Sequence, residues 1–303
     1  MERRQVLTAT AAAALLGKSV AADVSSSDDS KAAGSKETRK REVDTDGEES
    51  SPRLSCLVHA ASSTAVQAKG SATGLPSSPL TKQMKKKLLI LDLNGLLADI
   101  NQDRHNAHLS HGTIRGKLVF KRPYCDDFLR FCMHHFELGI WSSRLRANVD
   151  AAVDILMEDD VKQRLLFCWD LSKCTGTGFY TLENKTKPLV LKELKKLWDD
   201  LPWRQQGEFS PSNTLLLDDS PYKALRNPPH TAIFPCPYSY KDDKDDALGP
   251  GGDLRLYLES LATTADDVQR YVRDHPFGQP PITEAHKHWQ FYRRILRTTT
   301  QVE

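Results

Sequence analysis

An α/β fold, with a Rossmann-like central parallel sheet flanked by helices and a small insertion between its second and third motifs, is predicted by three stretches of the 303-residue chain. Lys87 to Leu97 opens on an apolar run, Leu88 to Leu93, broken only by Asp92, and turns at Gly95. Asn213-Thr-Leu-Leu-Leu-Asp218-Asp219 repeats that grammar, and Leu138-Gly-Ile-Trp141-Ser142-Ser143 is a third short run ending on hydroxyls. Runs apolar at every position fit strands covered on both faces, which is the condition of a parallel sheet. Polar groups at the carboxyl ends of such strands stand where open α/β sheets bind ligands.

Composition sets the outer bounds. With 39% hydrophobic and 27% charged residues there is material for one large domain or two. A formal net charge of +2 argues against nucleic acid as a direct partner. The six cysteines form no CxxC pair and no regular framework, which fits a reducing compartment. No apolar run reaches the roughly 18 residues that a transmembrane segment requires.

All 23 aromatic residues lie beyond position 119, and residues 1–80 hold fourteen serines. A segment without aromatic anchors cannot offset its ordering entropy, so residues 1–82 are predicted to be a disordered Ser/Ala-rich tail. Arg3 and Arg4 before an Ala/Thr/Leu run have the form of a targeting segment, and an untargeted Ala-rich tail is the competing reading. Lys36 to Arg41 is a basic cluster, read as solvated charge or as a nuclear signal. The domain proper is expected over 83–277, with a basic tail over 278–303 that includes a surface helix.

After the first strand, residues 98–116 are polar and predict an exposed flap; His105, His108 and His111 lie in it without a helix pattern to make them a metal site. Lys117 to Arg122 is expected to be extended. Pro123 starts a helix with Asp126 and Asp127 in its first turn and an apolar face of Phe128, Phe131, Cys132 and Phe136. The strand ending at Ser142 is followed by a helix with Val149, Val153 and Leu156 in phase. Residues 158–186 read as an irregular insertion. Pro188 is expected to open a helix carrying Leu191, Leu194 and Trp198, with Lys185 and Lys187 just before it. Thr231 to Pro235 reads as a further strand, and from Asp253 two amphipathic helices close the domain.

In chain order this places Asp92, Ser142, a lysine before a helix, and Asp218-Asp219 at the ends of parallel strands, hence in one cleft. Two neighbouring carboxylates need a cation, and oxygen ligands with waters suit Mg²⁺. Metal and lysine would neutralise a phosphoryl group, the hydroxyl would hydrogen-bond it, and Asp92 would be the nucleophile that forms an aspartyl phosphate.

With these four motifs, and the phrases Lys121-Arg-Pro-Tyr-Cys-Asp-Asp-Phe-Leu and Leu216-Leu-Asp-Asp-Ser-Pro, the sequence resembles the haloacid dehalogenase superfamily. Within it, the span from about Lys86 to Phe277 is similar to the NLI-interacting-factor-like branch. That branch includes phosphatases of the RNA polymerase II carboxy-terminal domain and the receptor subunit of the mitochondrial inner-membrane import translocase. The resemblance implies Asp92 as nucleophile and metal ligand, Ser142 as the phosphate-binding hydroxyl, Asp218 as the second metal ligand and Mg²⁺ as cofactor. Lys187 is chosen over Lys185 for the phosphate-binding lysine. Asp219 and Ser143 are read as structural, and Arg122 and Arg144 as solvated surface charge.

The branch signature is Asp-x-Asp-x-Thr, whereas this chain has Asp92-Leu-Asn94-Gly-Leu96. Asn94 stands where the general acid and base works. Its main-chain carbonyl can still bind the metal and its amide can still place water, but it cannot move a proton. Losing that help typically costs about 10² to 10⁴ in rate. The first expectation is therefore an impaired Mg²⁺-dependent phosphatase of phosphoserine or phosphothreonine in a phosphoprotein or phosphopeptide. The short insertion leaves its cleft open. The alternative is a binding module without turnover, with import-translocase partners. Nucleus and mitochondrion both remain open as its compartment.

Overall fold

The computed structural model describes residues 86–200 and 208–298. The expected tail over 1–82, with its targeting segment and basic cluster, lies outside the described residues. The first strand, β1 (Lys87–Leu91), is buried along its whole length. An antiparallel flap follows, made of β2 (Ala98–Asn101), β3 (Gly112–Ile114) and β4 (Lys117–Lys121) in the order β2-β4-β3. It is more ordered than its polar sequence suggests, because Ala98, Ile100, Ile114 and Val119 turn inward onto the core. His105, His108 and His111 stay exposed.

Helix α1 (Cys125–His135) begins two residues after Pro123, with Asp126 and Asp127 in its first turn. It buries Phe128, Leu129, Cys132 and Met133, while Phe136 already belongs to the next strand, β5 (Phe136–Trp141). Helix α2 (Arg146–Leu156) buries Val149, Ala152, Val153 and Leu156. Residues 158–186, expected to be irregular, instead hold α3 (Asp159–Arg164), the sheet strand β6 (Phe167–Trp169) and β7 (Thr175–Tyr180). Aromatic packing explains the extra sheet strand. Trp169 meets the Trp141 ring edge-on at 5.0 Å, and Phe167 lies on β5 over Gly139, where a Cβ would be 2.3 Å from the ring.

The predicted helix at Pro188 is a strand, β8 (Pro188–Leu191), paired antiparallel with β7. Leu189 and Leu191 are buried and Val190 between them is not, which is the two-residue period of a strand. The helix, α4 (Leu194–Asp200), starts only after Lys192 and Glu193, where Asn227 Oδ1 accepts the Leu194 N–H at 2.9 Å. Strands β9 (Thr214–Leu217) and β10 (Ala232–Ile233) follow, then α5 (Asp253–Thr264), α6 (Val268–Asp274) and α7 (Trp289–Arg297).

The main sheet has the order β10-β9-β1-β5-β6, with every pair parallel. Alternate residues of β1 enter different cores. Leu89 and Leu91 join the large cluster under α1, α2, α5 and α6, and Leu88 and Ile90 join Trp141, Leu194, Leu197 and Leu216 on the other face. Each fully buried leucine or isoleucine contributes about 1.5–3 kcal/mol, so an apolar residue at every position is what a central strand needs. The helix expected after Gly278 is α7, and its Tyr292 and Ile295 pack with Leu189, Leu191 and Tyr222 in a third cluster. Cys125, Cys132, Cys168 and Cys174 are free thiols, the first two of them buried in the core.

Candidate active site

Leu91 of β1 lies opposite Ile140 of β5 on one side and Leu217 of β9 on the other. The residues that leave these strands, Asp92, Ser142 and Asp218, therefore emerge side by side at the carboxyl end of the sheet. Asp92 is 3% exposed and Asp218 is fully buried. The Leu93 N–H donates to Asp92 Oδ1 at 2.8 Å, and the Ser220 N–H donates to Asp218 Oδ1 at 3.0 Å. Between the two acids lie two ammonium groups. Lys192 Nζ is 2.5 Å from Asp218 Oδ2 and 3.3 Å from Asp92 Oδ1. Lys223 Nζ is 2.7 Å from Asp92 Oδ2 and 2.8 Å from Asp218 Oδ1. Asp219 completes the cluster, with Oδ1 3.8 Å from Lys223 Nζ and 2.8 Å from the Ser220 hydroxyl that donates to it. Its carboxylate fills the space above Gly95, whose φ of +83° and missing Cβ both matter, since a Cβ there would lie 2.1 Å from Asp219 Oδ2.

Burial opposes ionisation of Asp92, but Lys192, Lys223 and the Leu93 N–H outweigh it and hold this carboxyl well below the usual range. Lys223 shows the mirror effect: burial disfavours its charge, yet Asp218 and Asp92 keep it protonated well beyond the ordinary lysine range. For Asp219 burial prevails, and with Asp218 and Asp92 nearby its carboxyl is pushed up to about 6 despite Lys223. An unfolded aspartate titrates near about 3.9, so the folded chain holds one extra proton between about pH 4 and pH 6. The stability due to Asp219 therefore falls as pH rises through that window and is level above it, by at most about 3 kcal/mol. Asp92 acts oppositely, stabilising above about pH 4 and losing that contribution as acid protonates it. Asp219→Asn is expected to raise the melting temperature at neutral pH relative to that near pH 4.5. An unchanged difference between the two pH values would show that Asp219 does not titrate in this window.

Asn94 and Ser142 stand where the sequence places them, at the mouth of β1 and the end of β5. Asn94 Oδ1 accepts the Ile100 N–H at 2.8 Å and so ties the loop after Asp92 to the flap. Ser142 is 2% exposed, and its Oγ accepts the Arg144 N–H at 3.3 Å. Lys187 is not brought to this group. It is an exposed residue of the turn joining β7 and β8, as is Lys185, because the segment read as a helix N-terminus is a hairpin. The lysine just before a helix is Lys192, two residues ahead of α4.

Lys187 instead lines a cleft of about 1300 Å³ whose floor includes Asp219 and Ser220. Neither arginine is solvated surface charge. Arg122 is 5% exposed, grips both oxygens of Asp245 at 2.8 and 2.7 Å and donates to the Leu96 carbonyl. Arg144 is half-buried; burial draws its guanidinium below its ordinary value and the field of Asp92 acts against that. Lys223 carried no signal beyond its place five residues after Asp218.

Among the described residues, Asp92, Asp218 and Asp219 form a group of acids whose oxygens lie within 4.8 Å of one another. That is the donor chemistry of a hard cation, and Mg²⁺ with near-octahedral oxygens at about 2.0–2.1 Å is the ion the sequence implies. The residues present do not fit it. Each of the four oxygens of Asp92 and Asp218 already faces Lys192 or Lys223, and the Lys223 ammonium occupies the point between the acids.

The family description "NLI interacting factor-like phosphatase" matches residues 87–269. An uncharacterized FCP1 homology domain-containing protein of Schizosaccharomyces pombe is 27% identical over 150 residues, covering 47% of this chain and 58% of that protein. A probable C-terminal domain small phosphatase of Dictyostelium discoideum is 29% identical over 166 residues, covering 53% of this chain and 46% of that protein. The chain thus spans about half the length of these curated relatives. Among solved structures, fission yeast RNA polymerase II CTD phosphatase Fcp1 in a beryllium fluoride complex aligns with a TM-score of 0.38 and 14% identity. That alignment covers 71% of this chain and 63% of the other.

Proposed function

The chain belongs to the NLI interacting factor-like phosphatase family, and on that premise we propose that it acts on phosphoserine or phosphothreonine in a protein or peptide, with slow turnover. The observation that carries this reading is the meeting of Asp92, Ser142, Asp218 and Lys192 at the carboxyl ends of three parallel strands. The family generally uses Mg²⁺; because the donor set here does not fit that ion, no step is routed through it.

Asp92 is held ionised and is the oxygen nucleophile. Its Oδ forms the new bond to phosphorus while the ester P–O bond breaks, leaving an aspartyl phosphate that water then hydrolyses. Lys192, Lys223 and the half-buried Arg144 offset the charge of the equatorial oxygens, and the Ser142 hydroxyl donates to one of them. Asn94 itself cannot supply that proton, so an alkoxide departs slowly. The cleft of about 1300 Å³ lined by Asp219 and Ser220 is where such a peptide would lie, and Lys187, which also lines it, would meet an acidic flank of that peptide.

One observation favours the second reading, a phosphopeptide-binding module. Asp92 is nearly inaccessible, and both of its oxygens are engaged by ammonium groups. An aryl phosphate separates the two, since its leaving group needs little protonation. Wild type is expected to hydrolyse it measurably, and Asp92→Asn to fall to the uncatalysed rate, which keeps the shape and most hydrogen bonds of the site. Equal rates from the two proteins, with retained phosphopeptide binding, would replace the enzyme reading by the module.

A further inference from the structure

We infer that the Lys223 side chain is the resident cation of this site, taking the place of a divalent ion and closing the acid cluster to metals. The inference deepens the proposed site, but it rests on the acid cluster and not on turnover. Lys223 Nζ lies 2.7 Å from Asp92, 2.8 Å from Asp218 and 3.8 Å from Asp219, so one ammonium addresses all three acids that could ligate a metal. Two of its donors reach Asp92 and Asp218 at hydrogen-bond range, and Asp219 adds a third negative charge at longer range. A divalent ion brought to the same acids would face that fixed positive charge at hydrogen-bond range, with Lys192 behind it.

The backbone keeps Lys223 there. It sits in a single helical turn, Pro221–Ala224, that starts on a proline and follows Asp218 and Asp219 directly. Its N–H donates to the Ser220 carbonyl at 3.0 Å, and its own carbonyl accepts the Lys192 N–H at 2.8 Å. The neighbouring Tyr222 is buried against Leu189, Tyr292 and Ile295, which pins the turn from outside. Both site lysines are thereby linked through one main-chain hydrogen bond, and neither can leave without disturbing the other. The Lys223 side chain as a whole is only 5% exposed, unlike that of a surface lysine.

Titration of the full-length protein with Mn²⁺ alone, followed by electron paramagnetic resonance, tests this without any activity measurement. Wild type is expected to show no site tighter than about millimolar, and its melting temperature to be unchanged between excess Mg²⁺ and EDTA. Lys223→Met, which keeps the length and removes the charge, is expected to bind one Mn²⁺ per chain at least about tenfold more tightly than wild type. Adding Asp218→Asn should abolish that gain. One tightly bound Mn²⁺ in wild type, lost on Asp218→Asn, would overturn the inference. So would a folded Lys223→Met protein that gains no Mn²⁺, because something other than Lys223 would then exclude the ion. If Lys223→Met does not fold, Lys223→Gln takes its place, and the wild-type titration decides by itself whether the site is open. Aryl phosphatase activity enters none of these readouts, so failure here and failure of the enzyme reading are separable.

Discussion

Asn94→Asp is expected to raise turnover of a phosphoserine peptide by about 10² to 10⁴-fold, while hydrolysis of an aryl phosphate changes by no more than about threefold. The gain corresponds to roughly 3–5 kcal/mol of barrier. It follows from chemistry and placement together. The residue lies two positions after Asp92, and its Oδ1 accepts the Ile100 N–H. A carboxylate of the same shape keeps that bond through one oxygen and leaves the other for the proton that the departing alkoxide needs. An aryl oxide leaves without such help, so it reports on the rest of the site. Parallel steady-state assays on the two substrates measure the ratio directly. A folded Asn94→Asp protein with no gain on the peptide would exclude a lost proton donor as the limit and leave the binding-module reading standing.

Lys192→Met should destabilise the domain by about 3–5 kcal/mol, because it leaves Asp218 charged, fully buried and short of a partner. In a domain of this size that lowers the melting temperature by roughly 10 °C. Lys187→Met, at an exposed turn, should stay within about 0.5 kcal/mol of wild type. Urea denaturation of both variants, with Asp218→Asn and the Lys192→Met/Asp218→Asn pair, checks the assignment. The double variant should recover part of the loss, since the stranded charge has gone with its partner. A large effect at Lys187 and none at Lys192 would contradict the placement of the two lysines.

The buried parallel strands and their terminal acids were legible because a central strand needs an apolar residue at every position and each of these runs stops on polar turn residues at strand length. The same apolar shorthand misled at Pro188-Leu-Val-Leu191. Three apolar residues after a proline satisfy a helix start as well as a strand, and only the pairing with Thr175–Tyr180, distant in sequence, decides between them. That one period put the lysine just before the helix at Lys187, whereas the helix starts after Lys192. Arg122 was hidden for another reason: its partner Asp245 lies 123 residues away, and nothing local marks an arginine as buried. Lys223 was out of reach altogether, because its meaning depends on three acids that meet only in the folded sheet.

Helix α7 lies beyond residue 269, where the family match ends, yet it holds the ground under the site. Arg226 reaches from the loop behind Lys223 to the carbonyls of Ile295 and Thr298, and Gln279 donates to the Asp219 carbonyl at 2.7 Å. A fragment cut at the family boundary would retain every acid, lysine and hydroxyl named above and lose the buttress that keeps them in register. The packing around the acid cluster therefore draws on a longer stretch of chain than the span the family match covers.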